Sequence, residues 1–311
     1  MDPVAEFLAR YEREYDYYCE TARVCEALCR SLLQKNGIRA MVTSRGKDPS
    51  SLRDKLLQRS ARRPYPSVEA IYSDIVDLCG VRIALYFPNH VHDLPELFPG
   101  SFHLNHVRRF PDRQRQGDRS NGGYQATHYL VTMREEALPA GQHRYAHCPI
   151  EIQVASVLMH AWSEVEHDLV YKARAGQLSD AELRILDEIN GIVLEREKAL
   201  ERLYQAGDDR LMKSAVTIRN RYELSALLHK LLKRRGPLHP AARDLHPVDL
   251  APLMDELQAA RLNNAAHIEK LFAGLQFDPG QPPLRDQLLA ALQQQPPLPS
   301  DSTPLEAGPR F

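Results

Sequence analysis

Leu78-Cys79-Gly80-Val81-Arg82-Ile83-Ala84-Leu85-Tyr86-Phe87 sets Val81, Ile83, Leu85 and Phe87 at alternate positions, with Arg82, Ala84 and Tyr86 between them. Successive side chains of a strand point to opposite faces, so this run predicts a half-buried strand with one apolar and one polar face. Three later runs, SFHLNHVRRF (101–110), GYQATHYLVTM (123–133) and CPIEIQVA (148–155), have the same length and alternation. Together they predict a sheet of about four or five strands, mainly antiparallel or mixed, flanked by helices in an α/β (α+β) fold.

Outward from these strands the period changes. Residues from about Val4 to Asn36 carry apolar positions near helical spacing, with Gly37 as a stop, and a strand-like run from Ile38 to Thr43 follows. A short helix is expected between Pro49 and Gln58 and a second ending near Asp77. Beyond Ala155 the chain reads as helices, SVLMHAWSEVEHDLVYK and then a long segment opened by Ser179 with Glu182 three residues on, a capping box. In the first of these Met159, Trp162, Val165 and Leu169 read as core, and His160, Glu164, His167 and Tyr171 as a polar stripe. The expected organisation is a helical segment at 1–37, a core at 38–175, a helical region at 176–295 and a proline-rich disordered tail at 296–311.

Composition narrows the function classes. The chain has 311 residues, with 40 Lys plus Arg against 41 Asp plus Glu, so it offers no long-range field toward nucleic acid or membrane, and phosphate binding must come from local clusters. The N-terminus has neither an apolar signal-peptide core nor a membrane-length run, and a cytoplasmic protein is expected. Cys19, Cys25, Cys29, Cys79 and Cys148 are odd in number and form no C-x-x-C pair, which favours reduced, buried thiols.

Four patches carry chemistry. SRGKDPSSLRDK places Arg45, Lys47, Arg53 and Lys55 where a strand gives way to a helix, a junction suited to phosphates, although by itself such a charged helix start is more often a solvated surface. YSDIVDLCGVRI offers Asp77, which suits Mg²⁺ if another carboxylate faces it, or else caps a turn. NGGYQATHYLV sets Tyr124, Ala126 and His128 on one strand face after a glycine turn, a platform for a base or a plain cross-strand aromatic. PIEIQVA puts Glu151 and Gln153 together on a polar face, where the carboxylate can take a proton from a ribose hydroxyl or help hold the metal.

In this order the patches resemble the synthetase domain of the RelA/SpoT family, in particular its single-domain small alarmone synthetases, over roughly Ile38 to Lys172. DLCGVRI, GYQATH, and EIQ followed by the helix ending EHDLVYK carry the resemblance. It implies a nucleotidyltransferase-like sheet, binding of ATP and of GTP or GDP with Mg²⁺, and synthesis of pppGpp or ppGpp by transfer of pyrophosphate to a ribose 3′ hydroxyl. Carried over residue by residue, Arg45 and Arg82 embrace the adenine of ATP, and Lys47, Ser51 and Lys55 hold its phosphates. Asp77 binds the metal together with Glu151. Tyr124 stacks on the acceptor guanine, His128 closes that motif, and Glu151 activates the acceptor hydroxyl with Gln153 beside it.

The chain departs from many members in two places: Asn121-Gly122-Gly123-Tyr124 has an extra glycine, and Ala155 stands where an arginine is common. A run of Arg108, Arg109, Arg113, Arg115 and Arg119 before the glycine turn offers replacement phosphate contacts or is an exposed loop. Roughly forty residues before the first block are too few for the hydrolase domain of bifunctional members, so none is expected. Transfer to an adenosine nucleotide or to the 3′ end of tRNA competes with the guanosine acceptor. A tRNA would need an extended basic surface, so a mononucleotide is preferred. A non-catalytic nucleotide sensor is the reading from another class, disfavoured by the intact Asp77 and Glu151. The stripe Leu224, Leu227, Leu228, Leu231 and Leu232 serves either homo-oligomerisation or packing within the chain, with packing the default.

Overall fold

A computed structural model describes residues 2–110, 125–170, 178–211, 216–235, 245–275 and 281–294. The chain divides into two units, Met1–Gly207 and Asp208–Phe311. The division lies well beyond residue 175, the expected end of the core, and the N-terminal helix belongs to the first unit.

That helix, α1 (Pro3–Lys35), starts where the Asp2 side chain accepts a hydrogen bond from the Val4 N–H and Pro3 supplies a preset φ. It ends at Asn36, and Gly37 takes φ 68°, a left-handed conformation open to glycine at little cost. The strands are β1 (Ala40–Gly46), β2 (Cys79–Leu85), β3 (Phe102–Phe110), β4 (Ala126–Met133) and β5 (Ile150–Ser156). They form one sheet in the order β1-β2-β5-β4-β3, in which only β2 and β5 pair in parallel. The expected mixed, mainly antiparallel sheet with flanking helices is the observed fold.

Alternation decides which face is which. Val81, Ile83, Leu85, Tyr129, Val131, Ile150, Ile152 and Val154 are buried in one core with Phe7, Tyr11, Tyr18 and Leu33 of α1. Each such fully buried aliphatic side chain stabilises the fold by roughly 1.5–3 kcal/mol. At Gly46 a Cβ would lie 2.7 Å from the Cys19 Sγ and 3.2 Å from the Tyr15 ring, so glycine there lets α1 approach the end of β1 closely. The other sheet face carries a smaller cluster, Ala126, Ala155, Met159, Trp162 and Leu186, beneath α5 (Val157–Val170) and α6 (Asp180–Leu211). The rest of that face carries Arg45, Arg82, Glu151, Gln153 and His128 among others.

The connections differ from expectation in places. Helix α2 (Pro49–Arg62) runs longer than expected, and α3 (Val68–Asp74) ends three residues before Asp77, which lies in the loop entering β2. One short helix, α4 (Leu94–Leu97), precedes β3. In α5 Met159 and Trp162 are buried as expected, but Val165 and Leu169 are half exposed, because the cluster beneath the helix ends at Trp162. His160, expected on the polar stripe, is buried with its Nε2 3.1 Å from the Ile83 carbonyl, and burial drives its pKa down to about 4. The capping box forms as read: the Glu182 carboxylate accepts from the Ser179 N–H at 2.8 Å, and Ser179 Oγ from the Glu182 N–H at 3.3 Å.

The second unit has a core of its own, built by α7 (Arg221–Lys233), α8 (Ala251–Ala259), α9 (Ala265–Ala273) and α10 (Leu284–Gln293). The leucine stripe from Leu224 to Leu232 is buried in it, as packing within the chain predicts. Cys25, Cys29, Cys79 and Cys148 are buried free thiols and Cys19 is half-buried. Among the described residues no helix is long and apolar enough to cross a membrane. The tail at 296–311 and the glycine turn with Tyr124 lie outside the described residues.

Candidate active site

The register of the sheet assembles the site. Thr43 pairs with Arg82, Arg82 with Gln153, Gln153 with His128 and His128 with Arg108, one row across all five strands. The neighbouring row is Arg45, Gly80, Glu151, Leu130 and His106. Directly paired residues project to the same side, so both rows lie on the polar face, opposite the α1 core. A cavity opens there, lined by Thr43, Ser44, Arg45, Asp77, Gly80, Val81, Arg82, Glu151 and Gln153. Five of the residues singled out in the sequence, from patches up to about a hundred positions apart, thus meet in one place.

On one side of the cavity Asp77 is held by two lysines. Lys47 Nζ lies 2.7 Å from Asp77 Oδ2, and Lys55 Nζ lies 3.0 Å from Oδ1 and 3.1 Å from Oδ2. Lys47 sits just past the end of β1, its N–H bonded to the Leu78 carbonyl, and Lys55 projects from α2. Burial alone would push the Asp77 carboxyl up; the charges and hydrogen bonds of Lys47 and Lys55 overcome this and hold it below the usual carboxylate range. The α2 N-terminus is already capped by Asp48, whose side chain accepts from the Ser51 N–H at 2.9 Å. The lysines, rather than the helix end, therefore supply the positive field. Ser51 is exposed in that first turn and is not among the cavity-lining residues, and Arg53 pairs instead with Glu12 of α1 at 3.0 Å.

On the other side Glu151 is held by groups that are not permanent cations. His128 Nδ1 is 3.1 Å from Glu151 Oε1, and the Gln153 amide donates to Oε2 at 2.7 Å. Burial would raise this carboxyl; the hydrogen bond and charge of His128, then Gln153, bring it below the usual range, while the nearby Asp77 charge works against them. Glu151 is therefore ionised at neutral pH with its direction fixed through both oxygens.

Arg45 and Arg82 stand diagonally on the antiparallel pair β1 and β2, with side-chain-free Gly80 directly opposite Arg45. Such diagonal neighbours are about 7 Å apart, enough for a flat ring between two guanidinium planes. The structure also forms an ion pair between Arg82 and Glu164 of α5, a link that the sequence reading, which saw only a polar stripe, missed. Thr43 and Gly80 were missed too; i, i+2 spacing from Arg45 and Arg82 was the available signal. Tyr124 falls outside the described residues.

The family model described as the region found in RelA/SpoT proteins matches residues 44–176, the segment that supplies the cavity. The chain carries a RelA/SpoT region. Among solved structures, a GTP pyrophosphokinase family protein from Streptococcus pneumoniae aligns at 19% identity over 63% of this chain and 94% of that one, with a TM-score of 0.49. Small alarmone synthetase 1 from Bacillus subtilis aligns at 19% identity over 65% and 99% (TM-score 0.49), and the same synthetase bound to its product pppGpp at 19% over 63% and 97% (TM-score 0.48). A comparison with curated protein sequences returned no match. Within the RelA/SpoT region the two clamped carboxylates, Asp77 and Glu151, are the chemically distinctive pair.

Proposed function

We propose that the chain is an ATP:nucleotide 3′-pyrophosphokinase that moves the β,γ-pyrophosphoryl group of ATP to the ribose 3′ hydroxyl of GDP or GTP, giving ppGpp or pppGpp and AMP. The observation that carries this reading is the Glu151 carboxylate, ionised and oriented by His128 and Gln153, on the same cavity as Asp77 and the arginine pair. Together with the RelA/SpoT region, this is an arrangement suited to proton abstraction beside a phosphate cradle.

In this reading adenine lies between the guanidinium groups of Arg45 and Arg82, and Lys47 and Lys55 face the ATP phosphates. Ser51 joins them and Tyr124 stacks on the acceptor base, both by resemblance. Glu151 accepts the proton of the 3′ hydroxyl as its oxygen attacks the β-phosphorus in line, the bond to the α-phosphate oxygen breaks, and AMP departs. The two carboxylates fit Mg²⁺: an all-oxygen pair that leaves coordination places for substrate phosphates is the usual magnesium setting. Asp77 and Glu151 would hold the ion, which supplies charge compensation for the transferred group. The lysines on Asp77 would then turn toward the phosphates.

The test is direct. Purified protein with ATP labelled in the γ position is offered GDP, GTP, ADP, ATP and deacylated tRNA, and labelled product and AMP are measured. Label in the guanosine nucleotides supports the proposal. Label in ADP, ATP or tRNA alone replaces the acceptor, and nucleotide binding without AMP release replaces catalysis by sensing.

A further inference from the structure

Helix α1 precedes the RelA/SpoT region, whose match begins at residue 44, yet it reaches into the site. The Tyr11 hydroxyl donates to the Lys47 carbonyl at 2.6 Å. The Lys47 N–H bonds the Leu78 carbonyl at 2.9 Å, and its Nζ lies 2.7 Å from Asp77 Oδ2. Lys47 is thus tied at both backbone polar groups and at its amine: to α1, to the entry of β2 and to Asp77. The tie from α1 is a stiff one. Tyr11 is fully buried, its ring centroid 5.0 Å from that of Tyr18 and 5.9 Å from that of Tyr15. Burial pushes its pKa well up, so the hydroxyl keeps its hydrogen and acts as the donor. Glycine at position 46, beside Lys47, lets the helix come this close.

We infer that Tyr11 is a positioning residue for the donor nucleotide: its hydroxyl fixes the Lys47 backbone, so that the Lys47 amine is held ready for the ATP phosphates. This rests on the reading in which Lys47 faces those phosphates. A lysine side chain is long and flexible, and what the fold can fix is the backbone from which it starts. Lys47 lies past the last residue of β1 and before the Asp48 cap of α2, where neither a strand ladder nor a helix supplies a donor for its carbonyl. Tyr11 supplies it. Lys55, by contrast, is placed by α2 itself. A buried tyrosine hydroxyl usually finds some partner, and Tyr18 shows what that alone looks like: it packs in the same core, but its hydroxyl lies 3.5 Å from Glu14 Oε2 of its own helix. A difference between the two tyrosines isolates the site role.

The experiment compares wild type, Tyr11→Phe, Tyr18→Phe, Lys47→Ala and the double variant of Tyr11→Phe with Lys47→Ala. Tyr11→Phe keeps the ring and removes only the hydroxyl. Its KM for ATP is expected to rise about fivefold, the equilibrium factor of one ordinary hydrogen bond, with kcat and the acceptor KM within twofold of wild type. Tyr18→Phe should leave KM for ATP unchanged even where its melting temperature falls. In the Lys47→Ala background the backbone carbonyl is still present, but adding Tyr11→Phe should weaken calorimetric ATP binding no further, because the amine that it positions is gone. A KM for ATP within twofold of wild type in Tyr11→Phe overturns the inference. So does a loss that falls on kcat instead, an equal rise in Tyr18→Phe, or a fully additive loss in the double variant. If the wild type transfers to no acceptor or binds no ATP, the pyrophosphokinase reading has failed by itself. Amine acetylation with acetic anhydride, read by peptide mass spectrometry, then decides the inference alone. A ratio of Lys47 to Lys55 labelling that rises in Tyr11→Phe and not in Tyr18→Phe supports it, and a ratio that is unchanged, or that rises equally in both, overturns it.

Discussion

The two carboxylates of the cavity are clamped in opposite ways. Asp77 is tied to two ammonium groups, and its ionisation is secured by full charges. Glu151 is tied to an imidazole nitrogen and an amide, and it stays ionised with a weaker counter-field. A carboxylate pinned between lysines is poorly placed to take a proton but well placed to exchange its cations for phosphates and a metal. One held by His128 and Gln153 is aimed yet still able to accept a proton. In the proposed reaction the contrast would give Asp77 charge management and Glu151 the acid–base step.

Glu151→Gln tests that division most severely. It keeps the side chain's size and one acceptor oxygen but removes the base, so AMP release in the presence of acceptor should fall by about 10²–10⁴ while ATP binding, read by calorimetry, is retained. Turnover at the wild-type rate would reverse the assignment. Asp77→Asn should act on the other side, leaving Lys47 and Lys55 facing each other without their shared anion. A fall in activity that added Mg²⁺ does not restore is expected, with a loss of about 1–2 kcal/mol in urea unfolding, discounted because all three groups are partly exposed. If Asp77→Asn left the magnesium dependence unaltered, the metal would belong elsewhere.

Acid separates the clamps more gently. Both carboxyls are depressed in the folded state, so each contributes stability above its ordinary value, 3.8 for Asp77 and 4.5 for Glu151, which is lost as pH falls through the lower folded value. Unfolding free energy measured from pH 7 downward should hold nearly level until about pH 4.5 for these two groups and then decline, and Glu151→Gln should flatten the Glu151 part. The acid limb of kcat/KM should likewise lie below 4.5, and a limb near 6.5 would shift the proton-accepting role to a histidine. The smallest effect is expected from Glu164→Gln. Releasing Arg82 from its partner on α5 should change KM for ATP by a few fold with kcat unaltered, the scale of a partly exposed ion pair.

Much of this arrangement was legible in the chain. Val81, Ile83 and Leu85 alternating with Arg82 and Ala84 declared a two-faced strand, and Glu151 two residues from Gln153 declared a shared polar face, because side-chain direction in a strand depends only on position. Val165 and Leu169 show where this stops. Their spacing matches Met159 and Trp162, but helical spacing names a face without supplying the surface that covers it, and the cluster under α5 ends early. Arg108 and Arg109 take opposite faces for a reason of the same kind: adjacent in sequence, they are parted by the pleat, and which face each takes depends on pairing with β4.

The sequence by itself determined the strands, their polar faces, the residue types that the proposed phosphate transfer requires, and the leucine stripe that the second unit buries. Tertiary structure decided the neighbours. Only the parallel pairing of β2 with β5 brings Gly80 opposite Glu151, and only the loop after α3 turns Asp77 toward Lys47 and Lys55. Periodicity is a local property of the backbone, while register between strands far apart in sequence is fixed by the whole buried face at once, so the two halves of the site become one only on folding.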